Sequence, residues 1–294
     1  MEKFYNTLIN VSELEALLSV SAEHNNVVVI DCRFSLMEPG LGQKQYFESH
    51  IPNAAYAHLD HDLAGPITAV SGRHPLPEVN DFAAKLKAWG VHNNSQVVVY
   101  DHGPGAIAAR LWWMLRWIGH KNGALLNGGF NAWCEAGLAL SSEPFKPSAH
   151  DDVLSVSADQ NMWLSTKDVQ RDMSDIVLID ARSEDRFNGL VEPIDFVAGH
   201  VPGANNMPLE ENLDPNGCFL DSGQLNQRFQ SIAIGCGEDG DYHRVVHMCG
   251  SGVTACHNLL AMEMAGMHGS RLYVGSWSEW IRDPNRLVAT ESGV

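Results

Sequence analysis

The chain has 294 residues and a hydrophobic fraction of 45%, which suits two domains of about 150 residues that each bury a core. Its formal net charge is −17, from 19 basic and 36 acidic residues. A field of that sign repels phosphate backbones and anionic membranes, so neither nucleic acid nor a membrane is expected as a partner. An acidic protein can still bind a small anion if arginines or backbone N–H groups form a local positive site.

The amino-terminal residues and the cysteines predict a cytoplasmic protein. Residues 1–6 lack the basic stretch and apolar run of a secretory signal. The most apolar stretch, residues 111–119, is too short to span a bilayer and contains Arg116. The six cysteines include no CxxC pair, so reduced thiols are expected. No Cys/His cluster has the spacing of a zinc site, and neither a metal nor another cofactor is expected.

An internal repeat organises the chain. Four landmarks recur in the same order, at offsets of 147 to 150 residues: 27–34 returns as 176–183, 49–56 as 199–206, 98–109 as 245–256, and 125–133 as 272–280. One ordered set of landmarks at nearly one offset indicates a duplicated domain.

Each copy alternates short β-branched runs with helical patterns, which favours βα units and a parallel sheet. Strands are predicted over 27–30, 97–100, 124–126, 176–179, 244–247 and 271–274. Ser12, with Glu15 three residues later, predicts a capping box at the start of the first helix. Helices are also predicted over 78–89 and 105–118, ending at Gly90 and Gly119.

The polar segment 141–154, which contains two prolines, is predicted to link the domains. The domains are then residues 1–140 and 155–294.

Cys249 is the residue whose context indicates chemistry. It follows a predicted strand and precedes a helix that should begin near Thr254. Ligands of parallel α/β sheets bind beyond the carboxyl ends of the strands. Backbone N–H groups of a glycine-rich turn that leads into a helix form an anion cradle, and the same field favours a thiolate. A buried, inert thiol is the alternative for an arbitrary cysteine; the strand–loop–helix context favours a nucleophile.

Other cysteine chemistries fit the sequence less well. A cysteine-dependent phosphatase needs an arginine where this chain has Ala255, and a cysteine protease needs a histidine that no motif supplies here. The loop itself contains no basic residue.

The ordered motifs resemble the two-domain rhodanese-type sulfurtransferases over nearly the whole chain. They are VIDCR, HIPNA, GRHPLP and NGGFNAW in the first copy, and LIDARSEDRF, GHVPGA, CGSGVTAC and GSWSEW in the second. The resemblance implies an α/β fold of tandem rhodanese-like domains, each a parallel sheet flanked by helices. It also implies that only the second domain is catalytic. In agreement, His102 aligns with Cys249 in the first copy.

Within that family the loop is most similar to the 3-mercaptopyruvate sulfurtransferases, because Gly250 and Ser251 follow the cysteine where thiosulfate enzymes commonly carry Arg and Lys. The resemblance implies that Cys249 forms a persulfide, whose charge is held by loop residues Gly250, Gly252, Val253 and Thr254. It implies a proton relay of Ser251, His74 and Asp60. The sulfur then passes to cyanide or to a thiol, such as that of a thioredoxin-like protein.

The donor is a small anion, and Arg186 in SEDRF matches one of the family's two carboxylate-binding arginines. The second usually follows a Glu-Pro pair, but Ile194 follows Glu192-Pro193 here. Either Arg182 or Arg73 compensates, or thiosulfate is used as well. Arg182 after Asp180, like Arg33 after Asp31, is expected to form a structural ion pair.

Two further interpretations stay open. The chain is alternatively a sulfur carrier or redox-binding protein that is loaded once, or a pair of non-catalytic interaction modules.

Overall fold

The computed structural model describes residues 4–21, 26–146, 153–232, 242–291 and 293. They form two compact units, the first comprising Met1–Gly65, Pro77–Asp159 and Pro215–Phe219, the second Pro66–Leu76, Gln160–Asp214 and Leu220–Val294. Each unit therefore contains a short segment from the other half of the sequence. Residues 147–152 of the predicted linker 141–154 lie outside the described residues, as does Cys236.

The first unit contains a five-stranded parallel sheet in the order β1-β5-β4-β2-β3. Its strands are β1 (Leu8–Ile9), β2 (Val27–Asp31), β3 (Ala55–Tyr56), β4 (Gln96–Tyr100) and β5 (Gly123–Leu126). Its helices are α1 (Val11–Ser21), α2 (Leu41–Glu48), α3 (Leu59–Asp62), α4 (Val79–Ala88), α5 (Ala108–Trp117) and α6 (Gly129–Glu135).

The second unit repeats this topology with the strand order β6-β10-β9-β7-β8, again parallel. Its strands are β6 (Trp163–Leu164), β7 (Val177–Asp180), β8 (Asn205–Asn206), β9 (Val245–Met248) and β10 (Arg271–Tyr273). Its α-helices are α7 (Thr166–Asp172), α8 (Glu184–Phe187), α9 (Ser222–Gln230), α10 (Ala255–Met264) and α11 (Ser276–Trp280). Two 3₁₀ helices span Gln160–Met162 and Leu209–Asn212.

The predicted α/β class, with tandem domains that each hold a parallel sheet flanked by helices, is confirmed. The middle strands β4 and β9 are buried along their whole length, as continuous apolar runs in parallel sheets usually are. The six predicted strands match observed strands to within one residue at each end.

The helices bear out the predictions with one correction. Helices α4 and α5 lie inside the predicted ranges, and Gly90 and Gly119 follow them with φ of +78° and +91°, a conformation that glycine adopts readily. The predicted cap at Ser12 is wrong. Helix α1 begins at Val11, and Asn10 caps it: its N–H donates to Glu13 Oε2 at 3.0 Å and its carbonyl accepts from Leu14 N–H. Across the described residues no helix has the length and hydropathy that a membrane crossing needs.

Each unit has its own apolar core. That of the first unit includes Val29, Val98 and Trp133, and that of the second includes Val246, Trp277 and Trp280. Burying these large side chains is the main stabilising contribution to each unit.

A buried Asp–Arg pair ends the same strand in both units. Arg33 donates from Nε and Nη2 to Asp31 at 2.6 to 3.1 Å, and Arg182 makes the equivalent contacts with Asp180 at 2.7 to 3.1 Å. The predicted structural role of both arginines is confirmed. Since all four side chains are almost fully buried, loss of one partner would leave an uncompensated charge.

One buried histidine makes stability depend on pH. His247 lies in β9 without solvent contact, and its Nδ1 has no hydrogen-bond partner among the described residues. Burial lowers the pKa of His247 from 6.5 to about 3. Between these pH values the unfolded chain binds a proton at His247 that the folded chain does not, so the free energy of unfolding decreases as the pH falls.

We expect His247→Leu to remove this pH dependence. Urea unfolding of the wild type should lose roughly 2 kcal/mol between pH 7 and pH 5 through this group alone, because each pH unit below the unfolded pKa costs about 1.4 kcal/mol. The exposed His268 provides the control His268→Leu, which should keep the wild-type slope. Equal pH slopes for His247→Leu and wild type would contradict this assignment.

Candidate functional site

Cys249 lies directly after the middle strand β9 of the second sheet, in the loop that leads into α10. The predicted strand–loop–helix arrangement is thus confirmed, and α10 begins one residue after Thr254. The Cys249 side chain is almost fully buried, with 1% of its surface exposed. Its reactivity therefore depends on what the surrounding loop admits.

Helix α11 holds the backbone of this loop. Cys249 N–H donates to Ser276 Oγ at 3.1 Å, while the carbonyls of Cys249 and Gly250 accept from Trp277 and Ser278 N–H at 3.0 and 2.8 Å. Ser276 adopts a left-handed φ of +51°, which is costly for a residue with a side chain. Its Oγ fixes the amide of Cys249, so the contact compensates for the backbone conformation.

Ser251 and His74 form a buried hydrogen-bonded pair. Ser251 Oγ and His74 Nδ1 are 2.7 Å apart, and the two residues are 5% and 4% exposed. The structure therefore brings together three of the four residues predicted as catalytic: Cys249, Ser251 and His74. Asp60, the fourth, belongs to the first unit, in α3, where it lines a cavity of about 740 Å³ with His58 and Lys85.

The segment that carries His74 is fixed to α11. Gly72 N–H donates to Glu279 Oε2 at 3.2 Å and Arg73 N–H donates to Ser278 Oγ at 3.1 Å. A Cβ on Gly72 would lie 2.7 Å from the carbonyl oxygen of Gly275, so only glycine allows this approach. Segment 66–76 is therefore a structural part of the second unit.

The loop residues Gly252, Val253 and Thr254 make close backbone contacts with Val274, directly after β10, and with α10. Gly252 has a φ of +76°, and a Cβ there would lie 2.4 Å from the carbonyl oxygen of Val274. The carbonyls of Val253 and Thr254 accept from Cys256 and His257 N–H at the start of α10. These contacts fix the backbone of the turn where it joins α10.

Two arginines approach Gly250, the residue that follows Cys249. A Cβ on Gly250 would lie 2.8 Å from Arg73 Nη2 and 3.6 Å from Arg186 Nη2. Arg186 donates from Nε and Nη2 to Glu192 at 2.8 to 3.1 Å, and Arg73 forms an ion pair with Asp195. Glu192 and Asp195 thereby balance the positive charges of Arg186 and Arg73, which lie close to each other.

The two carboxylates have opposite pKa shifts. Burial raises the pKa of Glu192, but its bonds from Arg186 and from the Asp195 and Ile194 N–H groups outweigh burial and lower the pKa overall. Burial also raises the pKa of Asp195, and there Arg73 and Arg186 do not fully offset it. Glu192 is therefore the firmly ionised partner of the pair.

The structure distinguishes the two candidates, Arg182 and Arg73, for replacing the arginine that is expected where this chain has Ile194. Arg182 is 1% exposed and bonds to Asp180 and to the carbonyl of Gly199, so it offers nothing to a ligand. Ile194 is 36% exposed and contributes only its N–H, to Glu192. Arg73, at 22% exposure, is the candidate that lies beside the Cys249 loop.

The equivalent loop of the first unit is occupied by its own carboxylate. Asp101 accepts four backbone hydrogen bonds, from the N–H groups of Gly103 (3.1 Å), Gly105 (2.9 Å), Ile107 (2.9 Å) and Ala108 (3.2 Å). In the repeat alignment Asp101 corresponds to Met248, and His102 to Cys249. The first loop therefore binds an internal anion where the second has an apolar side chain.

Sequence reasoning missed Ser276, Asp195 and Asp101. The repeat contained a signal for Ser276, since it aligns with Gly129, which has a similar φ of +57°. Asp101 was visible as the residue before the position of Cys249 in the alignment. No pattern pointed to Asp195, because its partner Arg73 is distant in sequence.

Fold and site together define a duplicated α/β protein whose second copy carries a buried cysteine in the loop between its middle strand and α10. The family profile of the Rhodanese-like domain matches residues 12–136 and 165–283. The chain belongs to this family, as the sequence motifs predicted.

Named relatives agree with the family and with its chemistry. A "Probable 3-mercaptopyruvate sulfurtransferase" of Pseudomonas aeruginosa is 47% identical, over 96% of this chain and 98% of that protein. A thiosulfate sulfurtransferase of Cricetulus griseus is 30% identical over 94% and 92%. The structure of 3-mercaptopyruvate sulfurtransferase from Leishmania major has a TM-score of 0.77 and 29% identity, covering 95% of this chain and 75% of that one. The prediction of a sulfurtransferase enzyme is confirmed.

We expect Asp101→Ala to destabilise the first unit. Four buried N–H donors lose their acceptor, which should lower the free energy of unfolding by about 3 kcal/mol in urea titrations. The matched control is Asp221→Ala, which removes a more exposed carboxylate that caps α9 and should cost only about 1 kcal/mol. Similar losses in the two variants would show that Asp101 is an ordinary cap.

Proposed function

We propose that this protein transfers sulfur from 3-mercaptopyruvate, through a persulfide on Cys249, to a thiol or cyanide acceptor. The observation that carries the proposal is the buried hydrogen-bonded pair of Ser251 and His74, in which Ser251 lies two residues after the candidate nucleophile. A donor whose C–S bond breaks needs a proton on carbon, whereas thiosulfate releases sulfite without one. A proton relay in the loop therefore favours the organic donor.

The reaction balances with these residues alone. The Cys249 thiolate attacks the sulfur of the donor, the C–S bond breaks, and its electron pair forms the enolate of pyruvate. The thiol proton of the donor passes through Ser251 and His74 to the enolate carbon. Asp60 is the proposed third member of the relay. The persulfide is then attacked at its outer sulfur by a thiol or by cyanide, which regenerates the Cys249 thiolate.

The remaining residues hold charge. The N–H groups of Gly250, Gly252, Val253 and Thr254 are proposed to stabilise the persulfide anion, in the manner of an oxyanion hole. Arg186 is proposed to contact the donor carboxylate. Its Nη1 would lie 3.8 Å from a Cβ on Gly250, which supports that position.

We also propose which domain is catalytic and in which cellular compartment the protein is located. Residues 155–294 form the catalytic domain, residues 1–140 the non-catalytic domain, and 141–154 the linker. A cytoplasmic location is supported by the five described cysteines, which are free thiols. The physiological acceptor is proposed to be a thiol, for example of a thioredoxin-like protein. Separation of soluble, membrane and periplasmic fractions followed by activity assay tests the location.

We expect wild-type protein to use 3-mercaptopyruvate with a higher kcat/KM than thiosulfate, and Cys249→Ser to abolish turnover with both by more than about 1,000-fold. Arg186→Ala should raise KM for 3-mercaptopyruvate more than for thiosulfate. Cys218→Ser, which changes a partly exposed thiol in the other unit, is the control. Full activity in Cys249→Ser would exclude the persulfide mechanism.

The relay makes a second prediction. His74→Gln and Ser251→Ala should each lower kcat with 3-mercaptopyruvate by about 100-fold, and the double variant should lose little more, because the two act as one unit. The decrease in kcat with thiosulfate should be much smaller, because the reaction of that donor transfers no proton to a carbon atom. The exposed His268 supplies the control His268→Gln. Additive losses, or equal losses with both donors, would rule out a shared proton path.

Thiosulfate is the second candidate donor. It is favoured by the 30% identical relative named thiosulfate sulfurtransferase and by Ile194, which removes an arginine expected for a carboxylate. A higher kcat/KM with thiosulfate would select it. A single stoichiometric loading of Cys249, without steady production of thiocyanate or sulfide, would instead identify a sulfur carrier.

A further inference from the structure

Three arginines of this protein, Arg33, Arg182 and Arg186, bind a carboxylate in the same way. Each of the three uses the fork formed by Nε and Nη2, which matches the two oxygens of a carboxylate. Arg33 binds Asp31 in this way, Arg182 binds Asp180, and Arg186 binds Glu192. The fork of Arg186, the arginine predicted from sequence for the donor, is therefore already occupied.

Arg73 differs from these three arginines. Its ion pair with Asp195 is made by Nη1, on the other side of the guanidinium. Its Nε is buried and has no hydrogen-bond partner among the described residues. Its Nη2 lies at 2.8 Å from the point that a Cβ on Gly250 would occupy. The fork of Arg73 is thus uncommitted, and it lies at the loop of the nucleophile.

A buried N–H donor without a partner is costly, by about 1–3 kcal/mol and more when the group is charged. The orphan on Arg73 is the donor that a carboxylate would complete. Glycine at position 250 allows Nη2 to lie directly against the loop, because any side chain there would collide with the guanidinium. A cation with unused donors is therefore already in place beside the loop.

Asp195 explains why the fork keeps this direction. Its carboxylate is 5% exposed, contacts Nη1 of Arg73, and lies 3.4 Å from Nη2 of Arg186. The backbone of Arg73 is fixed separately, through its N–H bond to Ser278 Oγ. Asp195 is thus a positioning residue, which turns the Nε–Nη2 edge toward Gly250 while balancing part of the charge.

We propose that Arg73 replaces the arginine missing at Ile194 and binds the carboxylate of the 2-oxo thiol donor through Nε and Nη2. Arg186 adds a single contact from Nη1, and Asp195 sets the orientation of Arg73. This inference rests on the proposed function, because it takes the donor to be 3-mercaptopyruvate.

The first test separates binding from chemistry. Arg73→Gln keeps most of the side-chain volume and should raise KM for 3-mercaptopyruvate by 10- to 100-fold, a loss of roughly 1.4–2.7 kcal/mol in charge-assisted bonds, with a change in kcat of at most a few-fold. Arg73→Lys keeps the charge without the fork and should recover only part of the affinity. Arg244→Gln, which removes the same charge from an exposed position at the opposite end of β9, should leave KM within twofold. Thermal unfolding of each variant checks folding.

The second test uses pyruvate, the product that keeps the carboxylate and lacks the sulfur. Titration calorimetry or NMR of the turnover-deficient Cys249→Ser protein should show pyruvate binding. The affinity should fall by at least 10-fold in Cys249→Ser/Arg73→Gln and stay the same in Cys249→Ser/Arg244→Gln. Asp195→Asn should weaken binding as well, because the fork loses its fixed direction.

The outcomes distinguish this inference from the function it rests on. A wild-type protein that neither uses 3-mercaptopyruvate nor binds pyruvate would overturn both. Turnover of 3-mercaptopyruvate with KM unchanged in folded Arg73→Gln would overturn only the role of Arg73. A KM that rises equally for 3-mercaptopyruvate and thiosulfate, with no loss of pyruvate binding, would make Arg73 a general anion contact and also overturn the carboxylate assignment.

Discussion

Positive charge beside Cys249 is the constraint on which the rest of the second unit depends. The whole chain is strongly acidic, with a net charge of −17. Nevertheless the guanidinium groups of Arg73 and Arg186 lie beside Gly250, and that of Arg182 is close enough to Cys249 for their charges to interact. Each is held by a carboxylate: Arg182 by Asp180, Arg186 by Glu192, and Arg73 by Asp195. An arginine that is buried without such a partner would be strongly destabilising. The acidic residues near this site are therefore the condition for keeping cations there.

The three arginines differ in how many of their guanidinium donors are already hydrogen-bonded. Arg182 is closed on all sides by Asp180, Glu192 and the carbonyl of Gly199, and its guanidinium also lies over the ring of Trp277 at 4.9 Å. Arg186 has its fork filled and one nitrogen left over. Arg73 has its fork open. The side-chain exposures of 1%, 17% and 22% follow the same order. The distance of an arginine from Cys249 is thus a poor guide to whether it can bind a ligand. The better guide is which of its guanidinium N–H groups already have hydrogen-bond partners.

The sequence was sufficient for most features that follow from local pattern or from the repeat. Strand positions, the parallel sheets, the loop around Cys249 and the structural role of Arg182 all depend on neighbouring residues or on the comparison of the two copies. The cap of α1 was missed because Asn10–Glu13 and Ser12–Glu15 satisfy the same pattern, and only the observed hydrogen bonds select between them.

What escaped prediction depends on contacts between distant residues. Arg73 was one of two candidates in the sequence, and our proposal of Arg73 rests on the direction of each guanidinium fork. That direction follows from Asp195, more than a hundred residues away in the chain. The assignment of segment 66–76 to the second unit has the same origin, because Gly72 and Arg73 are held by Glu279 and Ser278.

The two copies of the loop show how one backbone arrangement serves two purposes. In the first copy the N–H groups converge on a carboxylate that the chain itself supplies, Asp101. The second copy has Met248 at that position. The methionine side chain carries no carboxylate that could accept hydrogen bonds from the loop N–H groups. The cysteine alone does not distinguish the copies, because a thiolate at position 102 would stand next to the negative charge of Asp101 and compete with it for the same amides. An anion-accepting loop therefore requires both differences, a nucleophile at the second position and the loss of the internal anion at the first.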